Sequence, residues 1–440
     1  MNDPVRIVAG TVGFLCLSAT AVPCHAQSAA SPAPLEATVA PRTGAASIEA
    51  DAPPRKSEWR TTVSVTVAEW FDSNVFLQDV GNLAHKQSMV TSVAPFLGTV
   101  WEPAPEFHMA VNYSPNLVRY ASDSSEDHTD HRGNLNFGGQ IGDATYEVLN
   151  SATWIDGSRK DLTFTGPGGA PAIGGIPIRD RRQALNLNES FKLQYPIGNW
   201  FVRPVACWYM NDYKTDYSAA PGYENYASRD DINGGVDIGY KVYEKTYAVV
   251  GYRAGHQDQA ALPGSPLEYS NDYNRFVFGG EGSPFPWLKF ALLAGPEIHY
   301  YGSDVCAGFY HNQSQLYVDF SATVTLGKAD SLVLSAKRYT RPGYTGRSML
   351  TECLCDAGWK HKFTDALTAS LGFTAYLADY FPTVRNDDIY TPAVGLTYQF
   401  NKHFCAELRY TYDVANSEVP ATDGREFQRQ IAMLNLRYTF

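Results

Sequence analysis

After residue 26 the sequence contains no apolar run long enough for a membrane-spanning helix, which requires about 20 consecutive apolar residues. If this chain lies in a membrane, it must therefore cross with strands. Basic residues are also scarce: 35 Lys and Arg stand against 46 Asp and Glu, giving a formal charge of −11. This balance argues against a nucleic-acid partner, which would require a basic face.

The motifs of common enzyme classes are missing as well. The sequence contains no Gly-x-Ser-x-Gly, no His-Glu-x-x-His and no phosphate-binding glycine loop. His128 and His131, with Asp127 and Asp130, suggest a metal site or a hydrolytic dyad, but we interpret the cluster as an exposed polar loop edge. We predict no enzymatic activity and no cofactor.

Five cysteines follow residue 26, an odd number for an oxidising compartment. Cys353 and Cys355 share one face of a predicted strand, with Cα atoms roughly 6.5 to 7 Å apart, near the limit for a disulfide. No His or Cys at ligand spacing accompanies them, so a metal site is not indicated. We interpret the cysteines as small buried hydrophobic residues, and a bridge from Cys306 to Cys353 or Cys355 is the alternative.

The N-terminal region predicts export from the cytoplasm. Arg6 precedes an apolar run at 7–17, and small residues lead to Ala26, so residues 1–26 are predicted to be a secretory signal peptide. Residues 27–57 are rich in Ala, Pro, Ser and Thr without one aromatic residue, which predicts a disordered periplasmic lead. Aromatic residues become frequent from Trp59 onward, and residues 58–440 are predicted to form one transmembrane domain.

The last eleven residues alternate strictly between two faces. Leu434, Leu436, Tyr438 and Phe440 share one face, while Asn435 and its neighbours at period two share the other. Such alternation predicts a strand with one dry face and one wet face. A chain that ends on an aromatic residue in this pattern resembles the closing strand of bacterial outer-membrane β-barrels. The resemblance implies that Tyr438 and Phe440 close the barrel and signal to the barrel-assembly machinery.

Strand-like segments recur from Trp59 to the end of the chain, separated alternately by short turns and longer loops. They predict an all-β fold: a transmembrane antiparallel up-and-down β-barrel of about 18 strands, with 16 as the alternative. Both chain ends then lie on the short-turn side, which we expect to be the periplasmic side of the bacterial outer membrane. Four residues fit poorly, because Pro204, Pro296 and Pro392 interrupt strands and Glu189 faces outward. Bulges or local register errors would explain them.

Two short segments carry a resemblance to a known family. Phe71-Asp72-Ser73-Asn74-Val75-Phe76 follows the first strand, and Phe427-Gln428-Arg429 precedes the last. Both are similar to motifs of the putative β-barrel porin 2 family, although Ser73 replaces a common acidic residue. That family comprises outer-membrane barrels, some of them associated with exopolysaccharide export. The residues themselves indicate only turn chemistry at Asp72 and Asn74.

A barrel of 16 to 18 strands is wide enough to leave an aqueous channel. Predicted inward residues carry both signs of charge, so we expect modest ion selectivity. The third loop is the longest, and by resemblance to general porins it folds inward. Its charged flanks would then face the strand of Glu352, Asp356 and Lys360 across the lumen and create a transverse field, with a solvated surface loop as the alternative. The candidate channel-lining residues are Arg159, Lys160, Arg179, Arg181, Arg182, Glu352, Asp356, Lys360, Glu407, Arg409 and Arg437.

The resulting functional hypothesis is a porin-like passive channel for small polar solutes. The alternatives are an outer-membrane component of an exopolysaccharide or envelope export system, and a non-conducting structural barrel. The predicted partners are outer-membrane lipid, the barrel-assembly machinery, and small polar solutes or polysaccharide. A homo-oligomer is compatible with the sequence.

Overall fold

A computed structural model describes residues 58–79, 81, 83–104, 106–157, 183–214, 226–261, 267–344, 348–382, 384–418 and 426–440. The predicted signal peptide and lead lie outside these residues, as does most of the third loop. Among the described residues, no helix is both long and apolar enough to cross a membrane. The helical structure described is one short 3₁₀ turn at Ser124–Glu126.

Eighteen strands account for most of the described chain. Their bounds are β1 Glu58–Asp72, β2 Ser88–Ala104, β3 Phe107–Tyr120, β4 His128–Ile141, β5 Ala144–Ile155, β6 Ala184–Ile197, β7 Trp200–Tyr213, β8 Arg229–Tyr243, β9 Thr246–Gln259, β10 Asn271–Phe285, β11 Leu288–Tyr301, β12 Asn312–Leu326, β13 Asp330–Pro342, β14 Met349–Lys362, β15 Leu367–Phe381, β16 Arg385–Gln399, β17 Phe404–Glu418 and β18 Phe427–Thr439. The predicted number of 18 is confirmed, and 16 is excluded.

The strands close into a single barrel. Every strand pairs antiparallel with its neighbours in sequence, and β1 pairs with β18 from Asp72↔Ile431 to Ser64↔Thr439. Closure gives each backbone donor and acceptor along the seam a partner, which is the condition for a sheet to lie in hydrocarbon. The predicted antiparallel up-and-down barrel is confirmed.

Short turns lie at one end of the barrel and the longer connections at the other, with the three-residue β15–β16 connection as an exception. The turn between β4 and β5 is Gly142-Asp143, whereas the loop between β1 and β2 covers residues 73–87. β1 begins and β18 ends beside the short turns, as the alternation of separators predicted. We call the two ends of the barrel the short-turn end and the long-loop end.

Side chains alternate across the wall, so that apolar residues cover the outside. On β18, Leu434, Leu436 and Tyr438 are exposed, whereas Met433 and Asn435 are buried. Aromatic pairs surround the barrel near the short-turn end, including Trp59 stacked on Trp101, with ring centroids 4.9 Å apart, and Tyr438 edge-to-face with Phe440, 5.0 Å apart. Such a girdle is typical of a membrane–water interface.

The strand prolines neither shift the register nor form bulges. The β6–β7 pairing has the same register at Tyr195↔Val202 and Lys192↔Val205, on either side of Pro204. Pro296 and Pro392 likewise lie in continuous register, opposite Leu316 and Phe373. Neither proposed explanation was therefore right. Each proline lacks the backbone N–H that would donate one hydrogen bond between strands. The register shifts occur elsewhere, near short turns, for example between Trp101 and Ala104.

Glu189 does face outward, as predicted. Its Cα partners are Asn150 on β5 and Trp208 on β7.

Candidate channel-lining site

The inner wall carries two kinds of side chain. The first is a neutral polar set of half-buried amide and hydroxyl residues, found mainly toward the short-turn end. Hydroxyl and amide groups can exchange hydrogen bonds with passing water and solutes without holding a fixed charge. The neutral polar set consists of Asn112, Asn136, Ser321, Thr323, Ser370 and Thr397.

The second kind is an ion-paired set, most of it buried toward the long-loop end. It consists of Asp72 with Arg429 at 2.5 Å, Arg385 with Asp387 at 2.6 Å, Arg275 with Glu297, and Arg341 with Glu352. A further cluster joins Arg203 to Asp237 and Glu281 nearer the short turns. Buried charges are tolerated only when they are paired and hydrogen-bonded, and these pairs satisfy that condition.

The tip of the β13–β14 hairpin folds into the lumen. Gln257 on β9 donates to the carbonyl of Thr340 at 3.0 Å, and Gln259 donates to that of Gly343 at 2.6 Å. Three strands separate β9 from β13, a distance of roughly 19 Å along the wall. Contacts this short therefore require the hairpin to leave the wall and cross the interior.

Arg341 and Tyr344 hold the hairpin in this position. Arg341 donates to the Glu352 carboxylate and to the Tyr344 hydroxyl, and Tyr376 donates to Glu352 at 2.6 Å. The guanidinium groups of Arg341 and Arg229 each lie 4.4 Å from the centroid of the Tyr344 ring. Because Arg229 begins β8, these cation–π contacts join two distant walls of the barrel.

Loop segments fill much of the remaining space at the long-loop end. Tyr226, Tyr344, Tyr376 and Phe427 belong to one buried cluster that joins residues from β6 to β18. A separate buried cluster contains Tyr269 of the β9–β10 loop. Burial there raises the pKa of the Tyr269 phenol. The lumen is therefore much narrower at this end than an 18-stranded wall alone would allow.

The first loop also folds inward and makes contact with the last strand. Asp72 pairs with Arg429, and the Asn74 amide donates to the carbonyl of Gln428 at 3.0 Å. Val75 and Phe76 are buried against the inner wall. The two segments that carry the family resemblance thus touch each other across the β1–β18 seam. Asp72 also accepts the backbone N–H of Asn74 at 3.0 Å, which confirms the predicted turn chemistry.

A cavity of about 60 Å³ lies between the inward part of β13 and the β6–β10 wall. Four cationic side chains line it: Arg229, Arg275, Lys337 and Arg341. Its wall also includes Tyr209, Gln257, Asp231 and Tyr339. We call this cavity the basic chamber.

The predicted lining residues do not come together at the basic chamber. Asp356 accepts from Thr374 at 2.9 Å. Lys360, Glu407, Arg409 and Arg437 project inward from β14, β17 and β18, on another part of the wall. Glu352 lies behind Arg341 as its counter-ion. Arg159, Lys160, Arg179, Arg181 and Arg182 lie outside the described residues, as does the predicted fold of the third loop.

Three cations of the chamber were missed from the sequence. Arg275 alternates with Tyr273 and Val277 in a predicted strand, so periodicity alone could have found it. Pro342-Gly343 directly after Arg341 predicts the start of a loop, whereas β13 continues through Pro342. Nothing in the sequence signals that Arg229, at the start of β8, faces a hairpin from the opposite wall.

The sequence suggested that the histidine and aspartate cluster near β4 is an exposed loop edge, and the structure contradicts this. His128 and Asp130 are buried with 3.8 Å between them, and Nδ1 of His128 lies 2.7 Å from the carbonyl of Glu126. His131 faces outward and bonds to Tyr113 at 2.7 Å. Alternation along β4 separates the two histidines, and the described residues contain no group suited to a metal ion.

None of the five cysteines forms a disulfide bond in the structure. The sulfur atoms of Cys353 and Cys355 lie 3.8 Å apart, and Cys306 packs against the aromatic cluster of the β9–β10 loop. Cys405 is buried and the other four are half-buried, so the interpretation of all five as buried hydrophobic residues was too broad.

A closed 18-stranded antiparallel barrel with an apolar outer face and a polar lumen is an outer-membrane β-barrel with a porin-like fold. Residues 337–440, from within β13 to the end of the chain, match the family described as Putative beta-barrel porin 2. The family resemblance recognised in the sequence is thereby confirmed for this region.

Three solved structures illustrate what this chain is similar to. OccK2 (OpdF) of Pseudomonas aeruginosa has a TM-score of 0.42 at 9% identity, over 86% of this chain and 98% of that one. The outer membrane protein opdK of the same organism has a TM-score of 0.40 at 8% identity, over 87% and 99%. The siderophore receptor PirA of P. aeruginosa gives 0.40 at 10% identity, over 88% and 81%. These values are too low to transfer a substrate or a mechanism. No curated protein matches the sequence.

Proposed function

We propose that this protein is a porin-like passive channel for small polar solutes, narrowed from within by the β13–β14 hairpin. It lies in the bacterial outer membrane with both termini in the periplasm. The observation that carries this proposal is the pair of contacts from Gln257 and Gln259 to the hairpin, which place backbone across the lumen. The neutral polar set provides a wettable wall below that constriction.

The narrowing favours small solutes over a polymer. A polysaccharide conduit would require a continuous opening along the barrel, whereas the first loop and the β13–β14 hairpin both occupy the long-loop end. Charges of both signs on the wall also support modest rather than strict ion selectivity. Export of exopolysaccharide, the role suggested by the family resemblance, is accordingly the less favoured function.

A non-conducting structural barrel is the second candidate. The buried cluster around Tyr226, Tyr344 and Phe427 favours it, because aromatic packing of this kind excludes water. Conductance distinguishes the two functions.

The test is single-channel recording of the purified protein in planar bilayers. In one variant, Asn-Gly replaces residues 343–348. Pro342 and Met349 face each other in the strand register, so a two-residue turn can join them. It removes Tyr344 together with the contact from Gln259. We expect small conductance from the natural protein and clearly larger conductance from this variant.

Tyr310→Ala is the control, because Tyr310 is exposed on another long loop. It should leave the conductance unchanged. If the natural protein and the shortened variant are both silent while folded, the channel function is wrong and the structural barrel is favoured. Equal conductance in all three proteins would contradict the hairpin as the constriction.

A further inference from the structure

The basic chamber contains a buried cation without a counter-ion. Arg229 is 4% exposed, and no carboxylate of the described chain lies within ion-pair distance of it. Its Nη1 makes one long contact, 3.4 Å, with the carbonyl of Pro342. Its Nε and Nη2 are buried without a hydrogen-bond partner. An unpaired buried guanidinium is costly, so a group that accepts from these two nitrogens would be bound favourably.

Arg341 contributes a second open donor to the same chamber. Its Nε and Nη2 are engaged by Glu352 and Tyr344, but Nη1 is buried without a partner. Arg341 is also 4% exposed. Arg341 and Arg229 both line the chamber, and each guanidinium group lies 4.4 Å from the centroid of the same Tyr344 ring.

Lys337 adds a third cation on the chamber wall. Its ammonium lies 5.2 Å from the centroid of the Tyr339 ring, and no carboxylate of the described chain forms a salt bridge with it. Its partner in register, Asp319, accepts from the Tyr317 hydroxyl at 3.2 Å. Lys337 is therefore available to a diffusing anion.

Two carboxylates, Asp230 and Asp231, line the chamber, and the inward one, Asp231, is already satisfied by neutral donors. Asp231 accepts from Tyr273 at 2.9 Å, from Gln257 at 2.9 Å and from Asn233 at 3.1 Å. It is thus held by the wall and does not pair with Arg229 or Lys337. The chamber therefore presents unpaired positive charge rather than a closed ion network.

We propose that the basic chamber binds a small oxyanion, of the carboxylate or phosphate type, between Arg229, Lys337 and Arg341. At roughly 10–15 Å³ per water, the chamber has room for about four to six waters, which suits one such anionic group and excludes a sugar chain. Guanidinium groups donate charge-assisted, paired hydrogen bonds to both anions. The inference rests on the proposed channel function in one respect, namely that a permeating solute is the natural source of the anion.

Calorimetric titration of the folded protein in detergent tests this site. The probes are sodium phosphate and sodium succinate at constant ionic strength in chloride, with glycerol as a neutral comparison. We expect saturable binding of at least one anion and none of glycerol. Arg229→Gln and Lys337→Gln should each weaken binding by about tenfold or more, because each removes hydrogen bonds to a charged group.

Arg409→Gln is the matched control, since it removes the same charge from an inward position on β17, outside the chamber. It should bind as the natural protein does. If Arg229→Gln does not fold, Lys337→Gln still tests the site, because Lys337 makes no salt bridge that the substitution would break. The difference between gel mobilities before and after boiling verifies that each variant is folded.

Two outcomes would overturn the site: no saturable binding of either anion by the folded natural protein, or equal weakening by Arg409→Gln. Binding of phosphate alone or of succinate alone would support the site and identify which type of anion it binds. Conductance without anion binding would reject the anion site and leave the channel function in place. Anion binding without conductance would support the anion site and reject the channel function.

Discussion

The neutral polar set and the ion-paired set both project from the wall into the barrel, yet they have opposite environments. On β15, Ser370 is half-buried near the short turns, whereas Tyr376 and Ala378 are buried under the loops. The strand pattern is the same in both places, with alternate residues facing inward. The difference comes from what lies over the wall, since the first loop and the β13–β14 hairpin cover only the long-loop end. An inward position in a wide barrel is thus not automatically a position that lines the channel.

The largest effect should come from breaking an ion pair in the covered region. Glu297 is fully buried, with Arg275 and His299 as partners. Glu297→Gln leaves the Arg275 charge buried without its carboxylate, so it should reduce the free energy of unfolding by about 3–5 kcal/mol. Urea titration in lipid vesicles, followed by gel mobility, measures this change.

The matched control is Glu407→Gln on β17. Glu407 is less buried and its described contact is a 3.4 Å hydrogen bond from Asn435, so the free energy of unfolding should change by less than about 0.5 kcal/mol. Equal losses in the two variants would show that the two regions do not differ in environment.

A smaller effect is expected from removing one hydroxyl in the covered region. Tyr376 donates to Glu352 at 2.6 Å. Tyr376→Phe removes a hydrogen bond to a charged group and should lower the free energy of unfolding by about 1.5–3 kcal/mol. The same urea titration applies, and Thr397→Val in the neutral polar set should stay within about 0.5 kcal/mol of the natural protein. A larger loss in Thr397→Val than in Tyr376→Phe would reverse the comparison.

The smallest effect concerns ion selectivity. Arg409→Gln removes one inward cation from a wall that carries both signs of charge. We expect a modest shift of the reversal potential toward cations in a salt gradient, with the free energy of unfolding unchanged. A complete change of selectivity would mean that Arg409, and not the basic chamber, controls the charge of the permeation path.

Most of the barrel could be predicted from alternation. The 18 strands, the short-turn position of both ends and the outward face of β18 all follow from period two and from turn residues. The predicted ends were less accurate, because the strands extend beyond the last clearly alternating residue. β16, for instance, begins at Arg385, in a run of polar residues at 385–388 that shows no apolar alternation, and this start contains the buried pair of Arg385 and Asp387.

The covered region could not be predicted in the same way. The contacts of Gln257 with Thr340 and of Arg229 with Tyr344 join residues more than 80 positions apart, and they depend on how far a hairpin bends inward. No local pattern at Arg341-Pro342-Gly343 distinguishes an inward hairpin from a solvated loop. The third loop was expected to narrow the channel, and the described constriction is formed by a different segment.

Thiol accessibility along β15 tests the central claim most directly. In a background without the five native cysteines, Ser370→Cys and Ala378→Cys each place one thiol on the inner wall, about 26 Å apart along the strand. The account predicts rapid reaction of a water-soluble maleimide at position 370 and strong protection at position 378, with protection lost in the Asn-Gly hairpin variant. Equal reactivity at the two positions in the natural protein would contradict it.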